Sequence, residues 1–346
     1  MSVRMVEAII KLVMTFNFKI VGLIGLLGII LAAALLNITR PSFPVSAKEL
    51  EISPGISFNE ILDKLAADGF IRSKIFFEIY AIATGQARQL KPGRYLLSTD
   101  ISIPALVKTL AMGPAEVSAV IYPGMTLKEI DDRLSSLKII KSGELINLNA
   151  NDLKKEYPWI AIAENNLDIN LEGFLFPDTY NFFTGSNIDL VVKKFLDNFE
   201  LRVLPFFKDY SNMLKVINIA SILEKEIFDY NERQIVSSIL TKRLTTGMPI
   251  QVDATLLYVK CSGRFLNCLA LQGEDYKIDS SYNTYIHSGL PKAPISNPSV
   301  EAIKAVLNPQ KSDYWYYLSD PKTGKTIFSK TLEEHNQNRA EYLLNK

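Results

Sequence analysis

Tyr122-Pro123-Gly124-Met125-Thr126 reads as the joint between a strand and a helix. Val117–Tyr122 has strand character, Pro-Gly makes a turn, and the Thr126 hydroxyl can cap a helix over Leu127–Leu137. The same device occurs earlier in the chain. Ser53-Pro54-Gly55-Ile56-Ser57 follows a strand at Glu49–Ile52 and opens a helix to about Asp68, ended by Gly69. In that helix Phe58, Ile61, Leu62 and Leu65 share one face. Two copies of one strand–turn–helix unit, with helices between short strands, predict an α+β chain.

Outward from these joints, further helices are expected at Ser73–Thr84, Ile103–Met112, Ile188–Val203, Glu232–Leu244, Ser299–Leu307 and Leu332–Leu344. Lys91-Pro92-Gly93-Arg94-Tyr95 reads as a turn into a strand, and Tyr314–Ser319 with Thr326–Phe328 as a hairpin around Lys322-Thr323-Gly324. Gln251-Val252-Asp253-Ala254-Thr255 alternates polar and apolar groups, as a strand with one polar face would. The remainder, with Tyr282–Tyr285 and Gly289-Leu290-Pro291, reads as loops between short strands.

The chain has 346 residues, with 48% hydrophobic and 22% charged content, as a globular protein has. Its net charge of +1 gives no reason to expect a nucleic-acid partner. Every residue from Ile20 to Leu36 is apolar or Gly, about the shortest run that spans a bilayer. A cleaved signal peptide would have a shorter apolar region and a small-residue cleavage site after it, whereas Ala32-Ala33-Ala34 is followed by Leu35-Leu36. A retained anchor is the expectation. Arg4, Lys11 and Lys19 precede the run and Arg40 and Lys48 follow it, a slight bias that puts the N-terminus in the cytoplasm and the bulk of the chain outside. The expected order is a cytoplasmic segment 1–19, a transmembrane helix 20–36, a tether 37–48, a small module 49–115 and a larger domain 116–346. Cys261 and Cys268, with six residues between them including a Gly, can staple a hairpin loop in an oxidising compartment. With two His in the chain and neither near the cysteines, no metal site is expected.

Chemistry is read from Ile219-Ala220-Ser221-Ile222-Leu223-Glu224-Lys225-Glu226, an apolar helical run that ends in two carboxylates. A carboxyl group beside a buried face loses water and its pKa rises, so it can hold a proton near neutral pH and donate it to a leaving oxygen. The two acids lie about 200° apart on the helix, flanking the apolar stripe on opposite sides, with Lys225 pointing away from it. They cannot share a proton, and the wheel does not choose between them. Elsewhere, Glu172, Asp178 and Tyr180 lie in one aromatic-rich stretch, Gln251 and Asp253 in a second, and Tyr282 and Asn283 in a third. Aromatic rings among amides, hydroxyls and single acids are what a sugar-binding cleft requires.

Taken together, Glu172–Tyr180, Ala220–Glu226, Gln251–Thr255, Tyr282-Asn283-Thr284-Tyr285, Gly289-Leu290-Pro291, Pro294-Ile295-Ser296-Asn297-Pro298 and the closing Glu333-Glu334-His335-Asn336 resemble, in order and spacing from about residue 50 onward, the MltG (YceG-like) endolytic murein transglycosylases. The resemblance implies an inner-membrane anchor, a LysM-like module at 49–115 and a periplasmic catalytic domain at 116–346. That domain would cut nascent peptidoglycan strands without a cofactor. The resemblance also names peptidoglycan synthases as candidate partners. It puts the acid/base on Glu226, with Glu224 second, and makes Glu172, Tyr180, Gln251, Asp253, Tyr282 and Asn283 glycan contacts or their supports. Three details depart from the family pattern: Ser281 before Tyr282, Lys292-Ala293 between Pro291 and Pro294, and a longer loop around Cys261 and Cys268. Two rival readings are a hydrolytic muramidase, with Asp253 or Glu172 as second carboxylate, and a non-catalytic peptidoglycan-binding scaffold.

Overall fold

In the computed structural model the described residues are 47–160 and 170–344, with Gly25 and Gly28. Apart from those two glycines, the expected membrane helix lies outside them, as does nearly all of the tether. Among the described residues no helix is long and apolar enough to cross a membrane. The chain divides into two units, Met1–Ala115 with Phe183–Gly185, and Glu116–Phe182 with Ser186–Lys346. The architecture is mixed α+β, with helices and, among the described residues, three two-stranded sheets.

In the first unit β1 (Ala47–Ile52) pairs antiparallel with β2 (Gly93–Ser98), Leu50 opposite Tyr95. Helix α1 (Phe58–Ala67) opens with a capping box: Ser57 Oγ accepts from the Glu60 N–H, and the Glu60 carboxylate accepts from the Ser57 N–H. Helices α2 (Lys74–Ala83) and α3 (Ile103–Met112) complete a core of Leu50, Phe70, Phe77, Leu106 and Leu110, all fully buried.

The second unit repeats the device. Strand β3 (Glu116–Val120), paired with β4 (Thr179–Phe183), leads into α4 (Leu127–Ser136), whose capping box is Thr126 with Glu129. Gly55 and Gly124 both sit at φ 82°, a left-handed conformation that favours glycine, so the likeness of the two joints extends to the backbone. Helices α5 (Ile188–Arg202), α6 (Met213–Glu226), α7 (Tyr230–Thr245) and α9 (Val300–Leu307) enclose the core, with α8 (Asp253–Lys260) between the last two in sequence. Strands β5 (Tyr316–Ser319) and β6 (Thr326–Ser329) form the expected antiparallel hairpin, followed by α10 (Leu332–Arg339) and a π-helical turn over Ala340–Leu344.

Helix α6 is the central element. Every residue from Val216 to Leu223 is buried. Val216, Ile217 and Ala220 join one apolar cluster, with Phe174, Phe195 and Phe199. Ile219, Ile222 and Leu223 join another, with Val236, Leu240 and Ile295. A helix apolar all round must be enclosed, and α6 carries its acids only where it emerges.

The expected strand at Gln251–Thr255 is a correction. Gln251 takes φ 51°, Val252 is extended, and α8 begins at Asp253. Five alternating residues fit the entry to a helix as well as a strand. The decisive partners are remote: the Gln251 N–H donates to Thr284 O (3.1 Å) and the Val252 N–H to Thr284 Oγ1 (3.0 Å). The segment between α8 and α9 carries a short 3-10 turn at Asp275–Lys277 and no strand.

Candidate active site

At the end of α6 the two acids diverge, as the wheel requires. Glu224 is 8% exposed at its side chain and fully engaged. Its Oε1 accepts from Arg233 Nη2 of α7 (2.9 Å), and its Oε2 from the Ser299 N–H (2.8 Å) and Ser299 Oγ at the cap of α9. Arg233 is itself buried and also donates to Ile227 O and Ser299 Oγ. Glu226 faces the other way, toward the N-terminus of α8, where its Oε1 accepts the Ala254 N–H at 3.1 Å. Among the described residues that is the one hydrogen bond its carboxyl group makes. Loss of water, reinforced by the charge of Asp253, pushes the Glu226 carboxyl up to about 7 against the opposing pull of the Ala254 N–H. Ile227 is extended (φ −130°, ψ 129°), which ends α6 just after the acid before Asp229 caps α7.

Asp253, the first residue of α8, accepts from Tyr285 Oη (2.5 Å) and Tyr276 Oη (3.4 Å). Asn283 holds the loop that carries both tyrosines. Its amide donates to Tyr276 O and Ile278 O, and its carbonyl accepts from the Tyr285 N–H. Asn283 is therefore completely buried scaffold. The Tyr317 hydroxyl of β5 is pushed well upward by burial and then by the charge of Glu226, with Asp253 adding to it and Arg243 opposing. Gln251 is exposed at the approach to α8. His335 stacks on Tyr316 at 5.2 Å with Nδ1 buried and without a partner.

A second constellation lies around the joint at Gly124. Glu172 is 1% exposed. Its carboxylate accepts from the Leu127 N–H (2.9 Å), Asn297 Nδ2 (3.2 Å) and Tyr258 Oη (3.0 Å), and burial raises it to about 8 despite these bonds. Tyr282 packs on Tyr258 at 5.2 Å, and burial, then Glu172, raises its hydroxyl to about 12. Lys225, facing away from the apolar stripe, donates to Gly124 O (3.2 Å) and lies 3.7 Å from the centre of the Phe265 ring. Phe265 belongs to the loop closed by a disulfide between Cys261 and Cys268. That loop is pinned to α4: Thr126 Oγ1 donates to Gly263 O, Glu129 accepts from the Phe265 N–H, and Arg264 pairs with Asp132. Tyr180 stands apart from both constellations, buried in the first cluster with its hydroxyl on Phe176 O and Asn198.

Asn297 ties these parts together. Its Oδ1 accepts from the Gly173 and Leu175 N–H groups, and its Nδ2 donates to Met125 O and Glu172. Gly173 takes φ 92°, and a Cβ there would stand 2.8 Å from Ile217 Cγ2 and Pro294, so only glycine lets this strap close on α6. Asn297→Ala leaves buried donors and acceptors unpaired. It is expected to cost about 2–4 kcal/mol, read as a lower urea midpoint with unchanged m-value.

Several members were not legible as site residues. Arg233 sits nine positions after Glu224, across a helix break, and no spacing rule joins them. Tyr276 carries no motif. Ser299 was legible as a helix cap but not as a ligand of Glu224. Asn297 and Tyr285 lie inside quoted motifs, and only the hydrogen-bond geometry distinguishes them. Among the described residues no cluster of three or more His, Cys, Asp or Glu could hold a metal ion.

A carboxyl group that holds a proton near neutral pH at a rim of aromatic rings is the apparatus of glycoside chemistry. The YceG-like family model matches residues 50–341, and the chain belongs to that family. It is 29% identical over 312 residues to an endolytic murein transglycosylase of Bacillus subtilis, covering 86% of this chain and 85% of that one. It is 27% identical to the Streptococcus pneumoniae protein of the same name, of which it spans 58%. A crystal structure of a YceG-like protein from Listeria monocytogenes superimposes with TM-score 0.55 at 30% identity, covering 85% of this chain and all of that one.

Proposed function

We propose that this chain is an endolytic peptidoglycan lytic transglycosylase in which Glu226 is the general acid and base. One observation carries the assignment: Glu224 is committed to Arg233 and Ser299, whereas Glu226 is desolvated, holds one backbone hydrogen bond and titrates at about 7. The names of the curated relatives support the reaction class. Protonated Glu226 gives its proton to the oxygen of the MurNAc–GlcNAc bond as the C1–O bond breaks. The resulting carboxylate takes the proton of the same sugar's C6 hydroxyl, whose oxygen bonds to C1 and leaves a 1,6-anhydro end. No water is consumed. The nucleophile is intramolecular, so its effective concentration is already high and one carboxyl suffices. Cutting a strand as it is made would end its elongation. The reading includes a single-pass anchor at 20–36 with a cytoplasmic N-terminus, a LysM-like module at 49–115 held by the tether 37–48, and peptidoglycan synthases as neighbours.

Asp253 also favours a hydrolytic reading, because its charge bears on Glu226. Its oxygen is already held by Tyr285 and Tyr276, which supports a role in holding the proton on Glu226 instead. Digestion of uncross-linked glycan strands tests this: anhydro ends resist borohydride reduction, and ordinary reducing ends would overturn the reading. Asp253→Asn removes a negative charge beside the acid, so Glu226 loses its proton more easily. The alkaline limb of kcat/KM is expected to move to lower pH by up to about one unit. An unmoved limb would separate Asp253 from the acid.

A further inference from the structure

Helix α2 buries Phe77 and Ala81, yet its opposite face is apolar too. Ile75, Ile79 and Ile82 are 65%, 59% and 61% exposed. At about 100° per residue they fall within roughly 60° of one another, facing away from the buried pair. Three large aliphatic side chains exposed on one helix face are more than the single scattered hydrophobics of an ordinary surface. Isoleucine offers a sugar neither a ring face nor a polar atom, so the stripe is not a glycan subsite. Glu78 is the only charge between Ile75 and Ala83; Lys74, just before the stripe, is paired with Asp63 at 2.5 Å, and exposed Arg88 follows it.

The chain that precedes the unit identifies what covers this face. The apolar run ends at Leu36 and β1 begins at Ala47. The ten residues between reach at most about 35 Å, and a unit of this size has a radius of gyration of only about 11 Å. A unit tethered so closely meets a bilayer at every excursion. We propose that α2 lies on that membrane, with Ile75, Ile79 and Ile82 in the lipid interface and exposed Arg88 at anionic headgroups. This rests on the reading of residues 20–36 as an anchor. It adds that the first unit is held in one orientation on the leaflet, as one flexible tether alone would not hold it.

The test uses the full chain carrying Ile79→Cys, labelled with an environment-sensitive fluorophore, in vesicles of phosphatidylethanolamine and phosphatidylglycerol. Cys261 and Cys268 are joined and do not take the label. A second sample is labelled at Glu333→Cys, on an exposed position of α10. Flotation after an alkaline wash reports the anchor by itself. The protein is expected to float, and lipids with a nitroxide near the headgroup should quench the label at 79 by about half, as a depth of ~5–10 Å requires. The label at 333 should stay unquenched. Adding Ile75→Ser and Ile82→Ser should restore most of the emission at 79. A floating protein with no quenching at 79 overturns the inference and leaves the anchor standing. A blue shift without quenching, the mark of a protein neighbour such as a second copy, overturns it as well. Failure to float overturns the anchor and this inference together.

Discussion

Glu226→Gln is expected to lower glycan-strand cleavage by about 10³-fold or more, while leaving the protein folded. Gln keeps an oxygen to accept the Ala254 N–H but has no proton to give. The same variant should be more stable than the parent above neutral pH. Glu226 titrates at about 7 in the folded chain and near 4.5 when water surrounds it. Between those values the folded state binds the extra proton, so stability is highest below about 4.5 and falls as pH rises through 7. At pH 8 the buried charge costs up to about 3 kcal/mol, and Gln does not carry it. Denaturation midpoints of parent and variant should therefore converge at pH 4 and separate at pH 8, with the variant higher. Equal midpoints at both pH values would mean that Glu226 is not desolvated.

Glu224→Ala is expected to behave in the opposite manner. It leaves Arg233 buried without its carboxylate and Ser299 without its acceptor, a loss of about 3–5 kcal/mol. Against a total of about 5–15 kcal/mol for a folded domain, much of the stability goes with it. Arg233→Met should cost a comparable amount, and the two losses should not add in the double variant, because each breaks the same pair. Activity per folded molecule should fall far less than in Glu226→Gln. Calorimetry and turnover measured on the same samples separate the two acids. Were Glu224→Gln to stay folded and lose all turnover while Glu226→Gln kept it, the assignment would be reversed.

What the sequence showed and what it hid follow from the range of the interactions. The caps at Ser57 and Thr126 were legible because each hydroxyl directly follows a Pro-Gly turn and precedes an apolar helical pattern, whereas the Glu60 and Glu129 halves of the capping boxes came from the structure. Helix α6 was legible because its enclosure is written as a run of Val, Ile, Ala and Leu broken between Val216 and Leu223 by Asn218 and Ser221 alone. The direction of the two acids was also legible, since a helix turns by a fixed angle per residue. Which acid is free was not. That depends on Arg233, Ser299 and Ala254, which reach α6 only through tertiary packing. Gln251–Thr255 misled because its N–H groups are taken by Thr284, more than thirty residues on in the chain. Glu172 and Asn283 were legible as polar members of aromatic stretches, but their burial was not, so supports of the site looked the same as contacts with glycan.

Cleavage of glycan strands in water enriched in oxygen-18, followed by mass analysis of the new ends, tests most directly whether one carboxyl works with the sugar's own hydroxyl. The native protein is expected to yield 1,6-anhydro ends that carry no heavy oxygen, and Glu226→Gln to yield almost none of them. Heavy oxygen at the new C1, at the rate of cleavage, would show water as the nucleophile and contradict the account.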